Sequence, residues 1–147
     1  MSHPLYPGGI PRFNHIALSL TPDQLDENGR AEIISFHSDV FGFEEIPQMT
    51  LDRRRLVLSC CHHEQFIFLV SEETPMVAPR LDHVGLSVPR LDDLLAAHDR
   101  AASWAMNDDR VDLIAPSVDA HEVVRIHSFY VRFLLPVMIE IQHWEFT

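Results

Sequence analysis

The sequence predicts an α+β protein made of two tandem βαβββ modules that form a cupped mixed sheet around a metal or ligand cavity. Three observations predict it. A strand-like octet, "FNHIALSL" (Phe13 to Leu20), returns as "LDHVGLSV" (Leu81 to Val88), with His15 and His83 in matching places 68 positions apart. Each copy is followed by a stretch whose apolar residues recur at helical spacing. Each of those stretches is followed by β-rich runs, so the same unit is written twice in one chain.

The elements follow in order. The first module, residues 13–72, opens on the first octet. A helix is expected over Arg30–Val40, where Ile33, Ile34, Phe36 and Val40 approximate an apolar stripe and Gly42 supplies the stop. The runs "RLVLSC" and "QFIFLV" then read as strands. Pro75 and Pro79 mark Ser71–Arg80 as the linker. The second module, residues 81–145, opens on the second octet. Its helix is expected over Arg90–Trp104, with Leu91, Leu94, Leu95, His98 and Ala102 near helical spacing. Asp92 and Asp93 in the first turn suit the helix dipole. The runs "VVRIHSFYV" and "VMIEIQHW" complete it.

Bulk properties bound the function. A length of 147 residues fits one domain, 1–147, large enough to bury a core. The net charge of −11 argues against a nucleic-acid partner, because phosphate backbones call for basic patches. "DRRRL" (Asp52 to Leu56) is locally basic and reads as a solvated strand or turn edge. No apolar run is long enough to span a membrane, and "MSHPLYPGGIPRF" lacks a signal-peptide layout, so a cytoplasmic protein is expected. No Ser-His-Asp arrangement, phosphate loop or dinucleotide fingerprint is visible.

Strand parity separates two faces. Side chains alternate across a strand, so Ile16, Leu18 and Leu20 share one face while His15, Ala17 and Ser19 share the other. The second octet divides alike: Val84, Leu86 and Val88 against His83, Gly85 and Ser87. The aliphatic face is expected to pack on the helix. The other holds one imidazole and small residues, which leaves room for a ligand. In "MIEIQHW", Glu140 stands between Ile139 and Ile141, on the face of Met138 and Gln142. A carboxylate in so apolar a run calls for a cation or hydrogen-bond donors. Two imidazoles and one carboxylate make a facial set that suits Fe(II).

At these residues the chain resembles the vicinal oxygen chelate superfamily, which includes glyoxalases, epimerases, type I extradiol dioxygenases and bleomycin-resistance proteins. The resemblance covers about Phe13 to Glu145 and implies metal ligands on the first and last strands of each module. Those positions fall on His15, His83 and Glu140. The fourth falls on Phe68, which cannot bind a metal, as in extradiol dioxygenases. The stretch His121 to Glu140 also resembles the extradiol signature, with His121, Phe129, Tyr130, Pro136 and Glu140 in place. The resemblance therefore implies a dioxygenase cleaving an aromatic diol, with His121 and Tyr130 as catalytic residues. It also implies a divalent metal, Fe(II) first and Mn(II), Zn(II) or Ni(II) as alternatives, and a homodimer. Its alternatives are a glyoxalase- or epimerase-like lyase or isomerase and a bleomycin-resistance-like protein that only sequesters a small molecule.

Where the family has an acidic turn after "SFYVR", this chain has Phe133, Leu134 and Leu135; exposed there, they would meet a partner or an apolar substrate. "SCCHHEQ" (Ser59 to Gln65) reads as a strand end and hairpin turn, because adjacent strand residues point to opposite faces. His37 and His98 are expected as surface or boundary residues, Trp104 and Trp144 as core or interface, and His143 outside the site by parity.

Overall fold

A computed structural model describes residues 8–50 and 52–147; the N-terminal residues 1–7 considered above for a leader lie outside them. The element order is β1 (His15–Leu20), α1 (Glu27–Phe41), β2 (Glu44–Glu45), β3 (Arg55–Ser59), β4 (Phe66–Ser71), β5 (His83–Ser87), α2 (Leu91–Asn107), β6 (Asp112–Ala120), β7 (Val124–Arg132) and β8 (Met138–Phe146). The duplicated βαβββ plan is therefore present. Each module makes its own four-stranded sheet, in the orders β1-β4-β3-β2 and β5-β8-β7-β6. The first and last strands of each module pair in parallel and the rest antiparallel, so both sheets are mixed.

Both helices run longer than the apolar stripe alone suggests. Asp26 caps α1 by accepting from the Gly29 amide at 2.8 Å. Gly42 ends it with φ 74°, a left-handed conformation that favours glycine. The next carbonyl problem is solved from outside the module. Arg100 on α2 donates from Nε and Nη2 to the Val40 carbonyl at 3.1 and 2.8 Å. Trp104 Nε1 donates to Asp39 at 2.7 Å, and Arg110 pairs with Glu32.

These contacts bring the helix-bearing sides of the two modules together. A single core joins Leu18, Leu20, Ile33, Phe36, Leu56, Leu58, Ile67 and Leu69 of the first module to Leu94, Ala101, Phe129, Val131, Ile139 and Ile141 of the second. Phe36 is its hinge point, packing on Trp104 and Phe133 with ring centroids 5.4 and 4.7 Å apart. Val57 and Met138 are buried too, yet lie outside that core on the opposite sheet faces.

Two expectations are corrected here. The turn after β7 is not an exposed apolar surface. Phe133 and Leu135 are buried in the inter-module core, and Leu134 packs against it. The turn takes a left-handed residue, Leu134 at φ 58°, so that its neighbours can point inward. His37 is not a surface or boundary residue either: it is 1% exposed. Its Nδ1 lies 2.7 Å from the Ile33 carbonyl one turn back, and Phe36, Phe41 and Phe43 surround the ring. Burial pushes its pKa down to about 4, so the imidazole is neutral.

The cysteine–histidine cluster forms the β3–β4 hairpin turn, closed by a Cys60 amide to Gln65 carbonyl bond of 2.8 Å. Both cysteines are free, and burial raises the Cys60 thiol to about 11.

Candidate metal centre

Sheet register assembles the second module's site. Gly85 on β5 is directly opposite Glu140 on β8, which is in turn opposite Tyr130 on β7. Residues opposite one another share a face, so all three lie on the sheet side away from α2. Glu140 is 5% exposed, and its carboxylate is fully engaged. Oε1 accepts from the Tyr130 hydroxyl at 2.8 Å and from Gln142 Nε2 at 2.9 Å. That bond to the carboxylate is the main reason the Tyr130 phenol is held above its usual pKa. Tyr130 is thus a proton donor bound to Glu140.

Oε2 faces His83 Nε2 at 3.3 Å. The other ring nitrogen, Nδ1, is 2.8 Å from the Leu81 carbonyl. A carbonyl accepts only, so Nδ1 carries a proton and the ring turns its Nε2 edge to a carboxylate oxygen. A ring protonated on both nitrogens pairs with that carboxylate directly, whereas a neutral ring offers a lone pair that a cation would bridge. The Nδ1–H to backbone carbonyl bond is also the usual way a metal-binding imidazole is oriented. Gly85 makes the close approach possible: a Cβ there would stand 3.3 Å from Oε2.

The first module orients the corresponding histidine alike. His15 Nδ1 is 2.7 Å from Asn14 Oδ1, an acceptor in that orientation, so Nε2 is the ring nitrogen that bond leaves over. The ring stacks on Phe66 with centroids 4.8 Å apart. Phe68 pairs with Ala17 as Glu140 pairs with Gly85, so Phe68 takes in the first module the place that Glu140 takes in the second. Arg55 lies over its ring at 5.7 Å.

His83, Glu140 and Tyr130 are therefore brought together, and His15 is not brought to them. Among the described residues of one chain, no group of three or more His, Cys, Asp or Glu side chains is placed to hold a metal ion. The reason lies in the fold: the helix sides of both modules form the common core, so each histidine stands on a face that the core excludes. His121 is also apart. It sits in the β6–β7 turn with Nε2 3.1 Å from Asp119 Oδ2. From Val124 to Tyr130 the extended strand covers roughly 20 Å at about 3.3 Å per residue. Sequence spacing aligned His121 with the signature; strand length carries it away.

Sequence reasoning placed Gln142 on the face of Glu140 without giving it a role, and missed Trp144. Trp144 shares that face by simple parity, and its Nε1 donates to Gln142 Oε1 at 2.8 Å. The period-two pattern contained that signal.

No protein-family profile and no curated protein matches the sequence. Solved structures do match in shape. A glyoxalase/bleomycin resistance protein/dioxygenase family enzyme from Burkholderia phytofirmans aligns with TM-score 0.62 and 13% identity, over 88% of this chain and 95% of that one. A lactoylglutathione lyase from Agrobacterium tumefaciens gives 0.61 and 16%, over 91% and 94%. The fosfomycin resistance protein FosX from Listeria monocytogenes gives 0.60 and 14%, over 90% of each. A FosX variant that aligns equally well was crystallised with Mn(II) and 1S,2S-dihydroxypropylphosphonic acid. The chain has the fold that these proteins share.

Proposed function

We propose that this protein is a divalent-metal-dependent enzyme acting on a small substrate with two adjacent oxygens, with His83, Glu140 and His15 of a second copy as the metal ligands. The placement of His83 Nε2 3.3 Å from Glu140 Oε2 on one sheet face carries the reading, because a divalent cation can take up that imidazole–carboxylate pair in place of the ring's second proton. A homodimer follows from the same reading. Each chain's core joins the helix sides of its modules, so a second copy has to present its first-module face, with His15, to the second-module face.

A bound divalent metal would act as a Lewis acid and hold the substrate's oxygens. The chain's own groups do the rest. Tyr130 and Gln142 hold Glu140 in orientation, the Leu81 carbonyl accepts from His83 Nδ1 and so turns Nε2 toward the site, and Gly85 leaves room beside the carboxylate.

An extradiol-type dioxygenase acting on an aromatic diol under Fe(II) is the first reaction we assign. Phe68 supports it by keeping the fourth position apolar and non-ligating. The place of His121, on the far turn, removes the proton donor such a mechanism would use beside the metal, and this favours a lyase- or isomerase-type reaction as the alternative. Anaerobic loading with Fe(II) or Mn(II), followed by oxygen uptake on a catechol, separates them. Oxygen uptake with iron supports the dioxygenase; turnover of a vicinal-oxygen substrate with Mn(II) and no uptake supports the alternative. Absence of metal binding refutes both. Mixing the His15→Ala and Glu140→Ala variants, each inactive alone, should restore part of the activity by forming hybrids with one intact site.

A further inference from the structure

Glu140, Gln142 and Trp144 recur at every second position of β8 and so share one face. Their hydrogen bonds run in one direction: indole to amide to carboxylate. An amide can be turned over, exchanging its oxygen for its NH2, and strand geometry alone does not choose between the two. The indole N–H is a donor only, so it donates to the amide oxygen and leaves the NH2 directed toward Glu140. The reversed amide would set an oxygen against the Glu140 carboxylate.

We infer that Trp144 and Gln142 are a positioning relay for Glu140, in which Trp144 fixes the orientation of the Gln142 amide and so commits Glu140 Oε1 to protein donors. Oε2 is then the single oxygen turned toward His83. This deepens the proposed metal site and rests on it for one consequence: Glu140 binds through one oxygen, which leaves a coordination position open for substrate. Burial does not account for Trp144, which is 46% exposed beside the exposed Phe146. A phenylalanine would supply the same stacking. The N–H is what the relay uses.

The relay is testable without metal, in the full-length protein, by the indole N–H resonances. There are two tryptophans, and Trp104, bonded to Asp39, serves as the internal control. Glu140→Gln should move the Trp144 indole signal and leave that of Trp104 in place. The movement should vanish in a Gln142→Met background. An unmoved Trp144 signal, or one that moves equally without Gln142, overturns the relay. If Glu140→Gln fails to fold, the link is read from its other end: Trp144→Phe must shift the Gln142 side-chain amide protons, and their indifference overturns it.

With Mn(II) as the probe, Gln142→Met should weaken binding about tenfold and Trp144→Phe several-fold, the range expected when a group orienting a ligand is lost. Equal Mn(II) affinity in Trp144→Phe and the parent, with Gln142→Met weakened, removes Trp144 from the relay. If the parent protein binds no Mn(II) or Fe(II), the metal-site reading fails, and the indole measurement still judges the relay.

Discussion

Acid should unfold this protein partly through one histidine. His37 is 1% exposed among three phenylalanines, and its folded pKa is lowered to about 4 from the ordinary 6.5. The unfolded chain therefore binds a proton near pH 6.5 that the folded chain refuses until pH 4. Stability from this group is complete above pH 6.5 and declines as pH falls through that window. The full loss approaches about 3 kcal/mol, and about 2 kcal/mol is gone by pH 5, at 1.36 kcal/mol per pH unit. Carboxylates with lowered pKa values, such as Asp93 and Asp112 beside their arginines, push the same way at lower pH. The diagnostic quantity is therefore a difference. Urea unfolding at pH 7.5 and pH 5 should show a smaller loss in His37→Met than in the parent, by about 2 kcal/mol. Equal losses in the two proteins would mean that His37 reaches solvent in the folded state, and would refute the buried placement.

Three further outcomes are expected. Gly85→Ala should preserve the melting temperature yet weaken Mn(II) binding about tenfold, since its Cβ at 3.3 Å displaces Glu140 Oε2 by a few tenths of an ångström; unchanged affinity in a calorimetric titration counts against Oε2 as the ligand oxygen. Phe133→Ala should cost about 3–5 kcal/mol in urea unfolding, because the ring fills the junction between Phe36 and Trp104, and a loss under 1 kcal/mol would contradict a buried turn. Asp26→Ala should cost about 1 kcal/mol by removing the α1 cap, with metal binding unaffected.

The duplicated plan was legible because it depends on short-range features: two near-identical octets, two helical stripes and alternating strands. The pair Glu140 and His83 was legible for the same reason, since parity and register are properties of a strand. What the sequence hid depends on distances between elements. His37 sits on a helix face whose burial comes from α1 meeting the rest of the core, not from its own stripe. The Phe133–Leu135 turn looked exposed because turns usually are, whereas here it seals the inter-module contact. His121 satisfied a spacing rule written along the chain, while the extended β7 strand carries it away from Tyr130. Placing His15 required knowing which sides of the modules join, and apolar faces alone do not say so.

The two modules have diverged by whole neighbourhoods. Around Glu140 the opposite residue is Tyr130 and the next on the strand is Gln142, both donors to its carboxylate. Around Phe68 the corresponding residues are Val57 and Val70, which donate nothing. A ligand lost from a working site would leave its donors behind, because those residues would still be polar. Here Phe68 and both corresponding positions are apolar together, so the first-module face offers His15 and the Arg55 guanidinium over Phe68 in place of a hydrogen-bonded carboxylate. A carboxylate restored at Phe68 alone would stand without donors and compete poorly for a cation. The asymmetry divides the labour within the duplicated fold. On the proposed dimer, the second module would supply the hydrogen-bonded carboxylate, and the first would supply His15 and the Phe68 ring.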